Sequence, residues 1–77
     1  MTINPETEIA ASRYDAQTRT HYYTIERGAK RWTAAVKDDE FERFGPVVGA
    51  QAKTNQARRR NYLATKLSVA MQGEPDA

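Results

Sequence analysis

The side chains that perform chemistry near neutral pH are scarce in this sequence, which contains one histidine, His21, and no cysteine. Histidine is the residue whose unperturbed pKa lies near neutrality. The lack of cysteine excludes disulfides, thiolate metal sites and cysteine nucleophiles. No nucleophile motif surrounds Ser12 or Ser68, and neither lies near His21 in the sequence. We interpret His21 as a sheet residue bonded to a neighbour across the strands, and we expect no enzyme activity.

An acidic run, Asp38-Asp39-Glu40-Phe41-Glu42, is the one pattern that could bind a divalent metal. A dedicated calcium loop needs oxygen ligands at fixed offsets around a central glycine, which this run lacks. We therefore interpret the run as a solvated hairpin turn and predict no metal site. The segment Gly45-Pro46-Val47-Val48-Gly49 lacks the GK[ST] ending of a phosphate-binding loop, so the sequence predicts no nucleotide and no other cofactor.

Basic side chains are concentrated in the second half of the chain. Residues 1–42 carry six basic and eight acidic side chains, whereas residues 43–73 carry six basic and no acidic ones. In a helix, Arg58, Arg59 and Arg60 point in directions about 100° apart. Arg58 is then expected to face solvent, while Arg59 and Arg60 flank the apolar stripe of the helix that contains Leu63 and Leu67. The planar guanidinium group suits phosphates and carboxylates. Alternatively, the arginine stems cover the sheet edges and the charges pair with Glu40 or Glu42.

A second group of candidate binding residues lies on a predicted hairpin. Tyr22 has the opposite parity from the core-facing residues of its strand, so we expect it to be exposed beside Lys30 and Arg31. An exposed tyrosine next to basic side chains is typical of stacking and interface hot spots. The complete set of predicted partner-binding residues is Lys53, Arg58, Arg59, Arg60 and Lys66 on a helix, and Tyr22, Lys30 and Arg31 on the hairpin.

Alternating sequence predicts the strands that position these residues. Aromatic and β-branched residues alternate over residues 19–27 and 30–37, and Gly28 supplies the positive φ of a tight hairpin. Trp32 shares one face of the second strand with other apolar residues and is predicted to be in the core. We predict a third strand at residues 40–44, which turns through Asp38-Asp39 and is ended by Gly45-Pro46.

Residues 50–72 contain neither proline nor glycine and predict one long helix, ended by Gly73 and Pro75. Its core-facing stripe consists of Leu63, Leu67, Ala70 and Met71. The helix is therefore predicted to pack over its last three turns and to overhang the sheet, or meet a partner, over its first three. Alternatively, Asn55 caps a shorter helix that begins at Gln56.

The N-terminal segment supports two interpretations. Asn4-Pro5-Glu6 has the composition of a helix start, but residues 7–14 could form a strand, which we favour. The fold class that follows is α+β, an antiparallel meander of three or four strands with a long C-terminal helix packed on one face. We expect a single small domain over residues 1–77, with residues 1–5 and 73–77 flexible.

Composition limits the remaining possibilities. With 77 residues the core is thin, so a homodimer is one way to cover residual apolar surface. No run approaches the roughly 18 apolar residues of a membrane span, and the first ten residues lack the features of a signal peptide. We expect a cytoplasmic protein that does not enter a membrane.

The order of hairpin, third strand and helix resembles the DNA-binding domain of plant AP2 factors and the N-terminal arm of phage integrases. The matching residues are Tyr23 to Arg27, the Gly28-Ala29-Lys30 turn, Arg31 to Val36 and the helix from Ala50, about 50 of the 77 residues. The resemblance implies that a three-stranded sheet enters the major groove and that sheet arginines read bases. The sequence departs from that family at Asp38 to Glu42, which would place four carboxylates beside the DNA backbone.

In size and architecture the chain is also similar to small phage and mobile-element proteins, including anti-CRISPR proteins. That resemblance implies a non-enzymatic inhibitor that occludes a nucleoprotein complex such as a CRISPR effector. Patches of opposite sign suit a protein or ribonucleoprotein partner, which is therefore the principal expectation. The alternative is a module that binds double-stranded DNA directly.

Overall fold

The computed structural model describes residues 4–76, without the side chain of Glu6. Its elements in chain order are α1 (Pro5–Glu8), β1 (Ile9–Asp15), β2 (Thr20–Arg27), β3 (Lys30–Lys37), α2 (Asp38–Glu42) and α3 (Ala52–Met71). The three strands form one antiparallel sheet in the order β1-β2-β3, and α3 packs on it through β3. The predicted α+β class is therefore confirmed.

The central hairpin forms as the alternating pattern predicts. Strands β2 and β3 pair from Thr20 opposite Lys37 to Arg27 opposite Lys30. Gly28 adopts a φ of +61°, a conformation that glycine reaches without steric penalty. The predicted strand bounds differ from the observed ones by a single residue, at the start of β2.

The N-terminal segment contains both of the structures that its sequence suggested. Pro5–Glu8 form one helical turn, and the chain then extends as β1, with a bulge between Ile9 and Ala11. The favoured strand is confirmed from Ile9 onward. The short turn places Pro5, which is buried, against the sheet and α3 rather than in solvent.

The predicted third strand at residues 40–44 is wrong, because Asp38–Glu42 form the short helix α2. Three acidic side chains occupy its first turn, where the partial positive charge of a helix N-terminus stabilises them. The Glu40 carboxylate also accepts a hydrogen bond of 2.8 Å from the backbone N–H of Lys37, as in a capping box. These local interactions are made in a helix but not in an extended chain, so the residues between β3 and Gly45 leave the sheet.

Helix α3 begins at Ala52, so the alternative start at Gln56 is wrong. Asn55 does not cap the helix but is buried within it, and its Nδ2 donates to the Pro46 carbonyl at 2.7 Å. Gly45 lies against this amide, since a Cβ at that position would come within 2.8 Å of Asn55 Nδ2. The loop before α3 is thereby fixed to the first turns of the helix. These turns, which were predicted to overhang the sheet or meet a partner, therefore contact this loop.

The core lies between α3 and the β2–β3 hairpin. It comprises Ile25, Ala34, Val36, Leu63 and Leu67, with Met71 and Ala70 of the predicted stripe packed against it. Trp32 is buried as predicted, and its Nε1–H donates to the Gly73 carbonyl at 3.2 Å. The Asp76 backbone N–H donates to the Arg31 carbonyl. Of the termini expected to be flexible, residues 1–3 and 77 lie outside the described residues.

Candidate functional site

Helix α3 covers only one of the two faces of the sheet. From Arg31 to Lys37 of β3, exposed and buried residues alternate, so Arg31, Thr33, Ala35 and Lys37 face away from α3. We call this uncovered side the open face. The strand register places on it Ala11, Arg13 and Asp15 of β1, Thr20, Tyr22, Thr24 and Glu26 of β2, and Arg31, Thr33, Ala35 and Lys37 of β3. Of these, Thr20 is buried.

The centre of the open face is a cation–aromatic pair. Arg13 lies opposite Tyr22 across the β1–β2 ladder, and its guanidinium carbon is 4.3 Å from the centre of the tyrosine ring. Tyr22 is therefore half-buried rather than exposed as predicted, since Arg13 covers part of the ring. Sequence reasoning missed Arg13, although pairing β1 with β2 antiparallel would have placed it beside Tyr22.

The open face carries three basic and two acidic side chains, so its net charge is slightly positive. Arg13, Arg31 and Lys37 carry positive charge, while Glu26 lies 3.4 Å from Arg31 and Asp15 accepts a hydrogen bond from the Gln17 backbone N–H. Between them, the face is lined by threonine and alanine side chains. A surface that combines long basic donors with small side chains can contact an extended anionic ligand.

The predicted binding residues on α3 lie on the other side of the molecule. Lys53 and Arg58 are exposed and have no ion pair or hydrogen bond among residues 4–76. Arg59 is half-buried and donates to the Gly45 carbonyl at 2.7 Å, whereas Arg60 is exposed. Lys66 lies 3.6 Å from Glu40. Tyr22 and Arg31 both lie on the open face, away from α3. They are not adjacent as predicted, because Tyr22 is opposite Ala35 whereas Arg31 is opposite Glu26. Lys30 is exposed beside the hairpin turn.

The acidic run is not the solvated hairpin turn that we predicted, because most of its carboxylates are bonded within the fold. Asp38 Oδ1 lies 2.6 Å from His21 Nε2, and the Tyr14 hydroxyl donates to Asp38 Oδ2 at 2.6 Å. The partner of His21 is thus α2 and not a neighbouring strand. Arg19 contacts both Asp38 and Glu42.

Glu40 connects α2 to α3. It accepts a hydrogen bond from the Tyr62 hydroxyl and lies near the Lys66 ammonium. The Tyr62 hydrogen bond, with the Lys37 backbone N–H, lowers the pKa of Glu40. The hydrogen bond from Tyr14 is the main cause that lowers the pKa of Asp38. The acidic run therefore anchors α2, and residues 4–76 contain no cluster of three or more His, Cys, Asp or Glu side chains arranged to hold a metal.

These contacts predict a stability that falls on both sides of neutrality. The folded state lowers the pKa of Asp38 and Glu40, so their contribution is present above about pH 4 and is lost as the pH falls through the folded-state values. The pKa values of Tyr14 and Tyr62 are raised by the same partners, so their contribution is lost as the pH rises above about 10. We expect the melting temperature to fall both in acid and above about pH 10. In the Asp38→Asn variant, the melting temperature should fall less steeply as the pH is lowered, which we call a flatter acid limb. An unchanged acid limb in Asp38→Asn would contradict this assignment.

No protein-family model, curated protein or solved structure matches the chain. Within the described residues, no helix has the length and apolar character needed to cross a membrane. The functional argument therefore rests on the geometry of the open face and of α3.

Proposed function

We propose that the chain is a non-enzymatic protein that binds duplex DNA with the open face of its sheet. The observation that carries the proposal is the asymmetry of the sheet, which α3 covers on one face while the other presents Arg13, Arg31 and Lys37, with Arg13 against the Tyr22 ring. This is the arrangement that the resemblance to AP2-like and integrase-arm domains implies, with the sheet in the major groove and its arginines at the base edges.

The dimensions of the sheet support this mode of binding. Three strands spaced about 4.8 Å apart have a backbone width of about 10 Å, comparable with the roughly 12 Å width of the major groove. Ala11, Thr33 and Ala35 on the open face have short side chains, so the strand backbones can come close to the bases there. Arginine pairs with guanine edges, and threonine hydroxyls accept or donate to several bases.

The position of the acidic run removes the main objection to DNA binding. An acidic third strand would have placed carboxylates beside the phosphates, which carry about one negative charge per 1.7 Å of duplex. Instead Asp38, Glu40 and Glu42 are bonded to side chains of the fold in and beside α2. Glu26 remains on the open face, where it already lies beside Arg31.

Titration of a short, fluorescently labelled random duplex, followed by anisotropy, tests the proposal. If three cations contact phosphates, the logarithm of affinity should fall with the logarithm of salt with a slope of about −2.7, or about 40-fold between 50 and 200 mM salt. The variant Arg13→Gln with Lys37→Gln removes two charges from the open face and should weaken binding and make this slope shallower. The matched control, Lys53→Gln with Arg58→Gln, removes two exposed charges from α3 and should bind as the parent does.

Two outcomes would overturn the proposal. An unchanged anisotropy at tens of micromolar protein in low salt would exclude duplex binding. Loss of binding in the α3 variant, with none in the open-face variant, would place the DNA on the other side of the molecule. Circular dichroism of both variants establishes that the comparison is between folded proteins.

A protein or ribonucleoprotein partner is the second candidate, and the exposed side of α3 favours it. Lys53 and Arg58 point to solvent without partners among residues 4–76, in a stretch of sequence that has no acidic residue. Such a surface suits an acidic patch, as in the phage-type inhibitor of a nucleoprotein complex. The test compares how much of a purified candidate complex is captured by the parent and by the Arg58→Glu variant. Equal capture by the two proteins would exclude this side of α3 as the binding surface. The homodimer also stays a prediction.

A further inference from the structure

A cleft of about 440 Å³ lies on the side of the sheet that faces α3, between α1, β2, α2 and α3. Its floor is formed by His21, Tyr23, Phe41 and Leu63, and its α3 rim carries Arg59 and Arg60. The volume is within the range of about 300–1,000 Å³ that small-molecule sites occupy. The cleft lies on the opposite side of the sheet from the open face, so an inference drawn from it does not rest on DNA binding.

The floor of the cleft is aromatic and apolar. The His21 ring stacks with Tyr23 at 6.2 Å between centroids and meets the edge of Phe41 at 5.6 Å. All three rings are only half-buried, although His21 and Tyr23 lie on the face of the sheet that α3 covers and Phe41 belongs to α2. A planar or branched apolar group placed here would cover ring surface that the fold leaves in water.

The charge across the cleft is polarised. At the α3 rim, Arg59 uses Nη2 for the Gly45 carbonyl, but its buried Nε has no hydrogen-bond partner among the described residues. At the opposite side, Asp38 lies behind His21, and its charge adds to burial in raising the pKa of Tyr23. An anionic group is therefore favoured at the arginine rim and disfavoured at the floor.

We propose that this cleft binds a small carboxylate with an aromatic or branched apolar body. The carboxylate lies at the rim formed by Arg59 and Arg60, and the apolar body lies against Tyr23, Phe41 and Leu63. A singly charged group is enough for this rim, because Arg59 already donates through Nη2 to the Gly45 carbonyl. The bound ligand has one orientation, set by the two ends of the cleft.

Amide NMR titration with naphthoate as the probe tests this site. For a ligand of this size we expect a Kd on the order of 1 mM, with shifts concentrated at the cleft residues. Naphthylmethanol has a similar ring system without the charge and should bind about tenfold more weakly, since the charge-assisted hydrogen bonds are lost. Naphthylmethylamine, with the opposite charge, should bind more weakly still.

Two single variants on the same helix provide the matched comparison. Arg60→Gln removes a charge from the rim and should weaken naphthoate binding by about tenfold, whereas Arg58→Gln, which removes an exposed charge, should leave it unchanged. Equal binding of naphthoate and the amine, shifts spread outside the cleft, or an unaffected Arg60→Gln variant would overturn the proposal. Tighter binding of naphthyl phosphate would overturn the assignment to a carboxylate. Duplex affinity measured on Arg60→Gln separates failure here from failure of the DNA proposal.

Discussion

Replacing Trp32 with alanine is expected to remove most of the free energy of unfolding and to leave a substantial unfolded fraction at room temperature. Trp32 is 9% exposed, lies opposite Ile25 in the hairpin and donates through Nε1 to the Gly73 carbonyl just after α3. Truncating a buried tryptophan costs about 3–5 kcal/mol, since the contacts are lost and a cavity remains. Small domains have a total unfolding free energy of about 5 kcal/mol or slightly more, so this single change removes most of it.

Trp32 is the only tryptophan, so its fluorescence reports directly on this site. The parent should emit at a blue-shifted wavelength that moves to the red in denaturant. Trp32→Phe keeps an aromatic ring but loses the hydrogen bond to the Gly73 carbonyl, and it should remain folded with a lower midpoint in urea. A native emission already at the wavelength of free tryptophan, or a Trp32→Ala variant as stable as the parent, would contradict the burial of this residue.

Reversing the charge at Arg59 is expected to destabilise the fold far more than reversing it at Arg58. Arg59 donates to the Gly45 carbonyl at 2.7 Å and lies 6.0 Å above the Phe41 ring, whereas Arg58 is exposed. A glutamate at position 59 removes a charged donor and places a carboxylate near an unpaired carbonyl, for a loss of about 2–4 kcal/mol. Arg58→Glu should change stability by less than about 0.5 kcal/mol.

Urea unfolding of the two single variants, followed by circular dichroism, measures the difference. The variants have the same composition and lie in the same helix, so helix propensity and net charge are matched. Equal midpoints would show that the loop from Gly45 is not held by Arg59. The result also determines how partner binding is tested on α3. If Arg59→Glu unfolds the protein, only Arg58→Glu can test binding, because a variant with both changes would lose binding through loss of folding.

The β2–β3 hairpin, α3 and the burial of Trp32 could be predicted from the sequence because each rests on a local pattern. Alternation around Tyr23 and Ile25 specifies a half-buried strand, and Gly28 permits the turn that joins it to β3. The spacing of Leu63 and Leu67 specifies the packed side of α3. These signals do not depend on distant residues, since the repeat of apolar side chains lies within each strand or helix.

The tertiary structure alone decided which of these residues share a surface. The position of α2 depends on Tyr14, His21 and Tyr62, which bond its carboxylates from β1, β2 and α3. The contact of Arg13 with Tyr22 depends on the pairing of β1 with β2, whose register is constant from Ala11 to Asp15.

Likewise, Asn55 is buried and Arg59 half-buried because the loop at Gly45 folds back onto α3, an approach that no spacing within the helix encodes. The candidate residues predicted as one set therefore occupy opposite sides of the sheet, since the side of the sheet on which a helix packs is fixed by non-local contacts and not by its own sequence period.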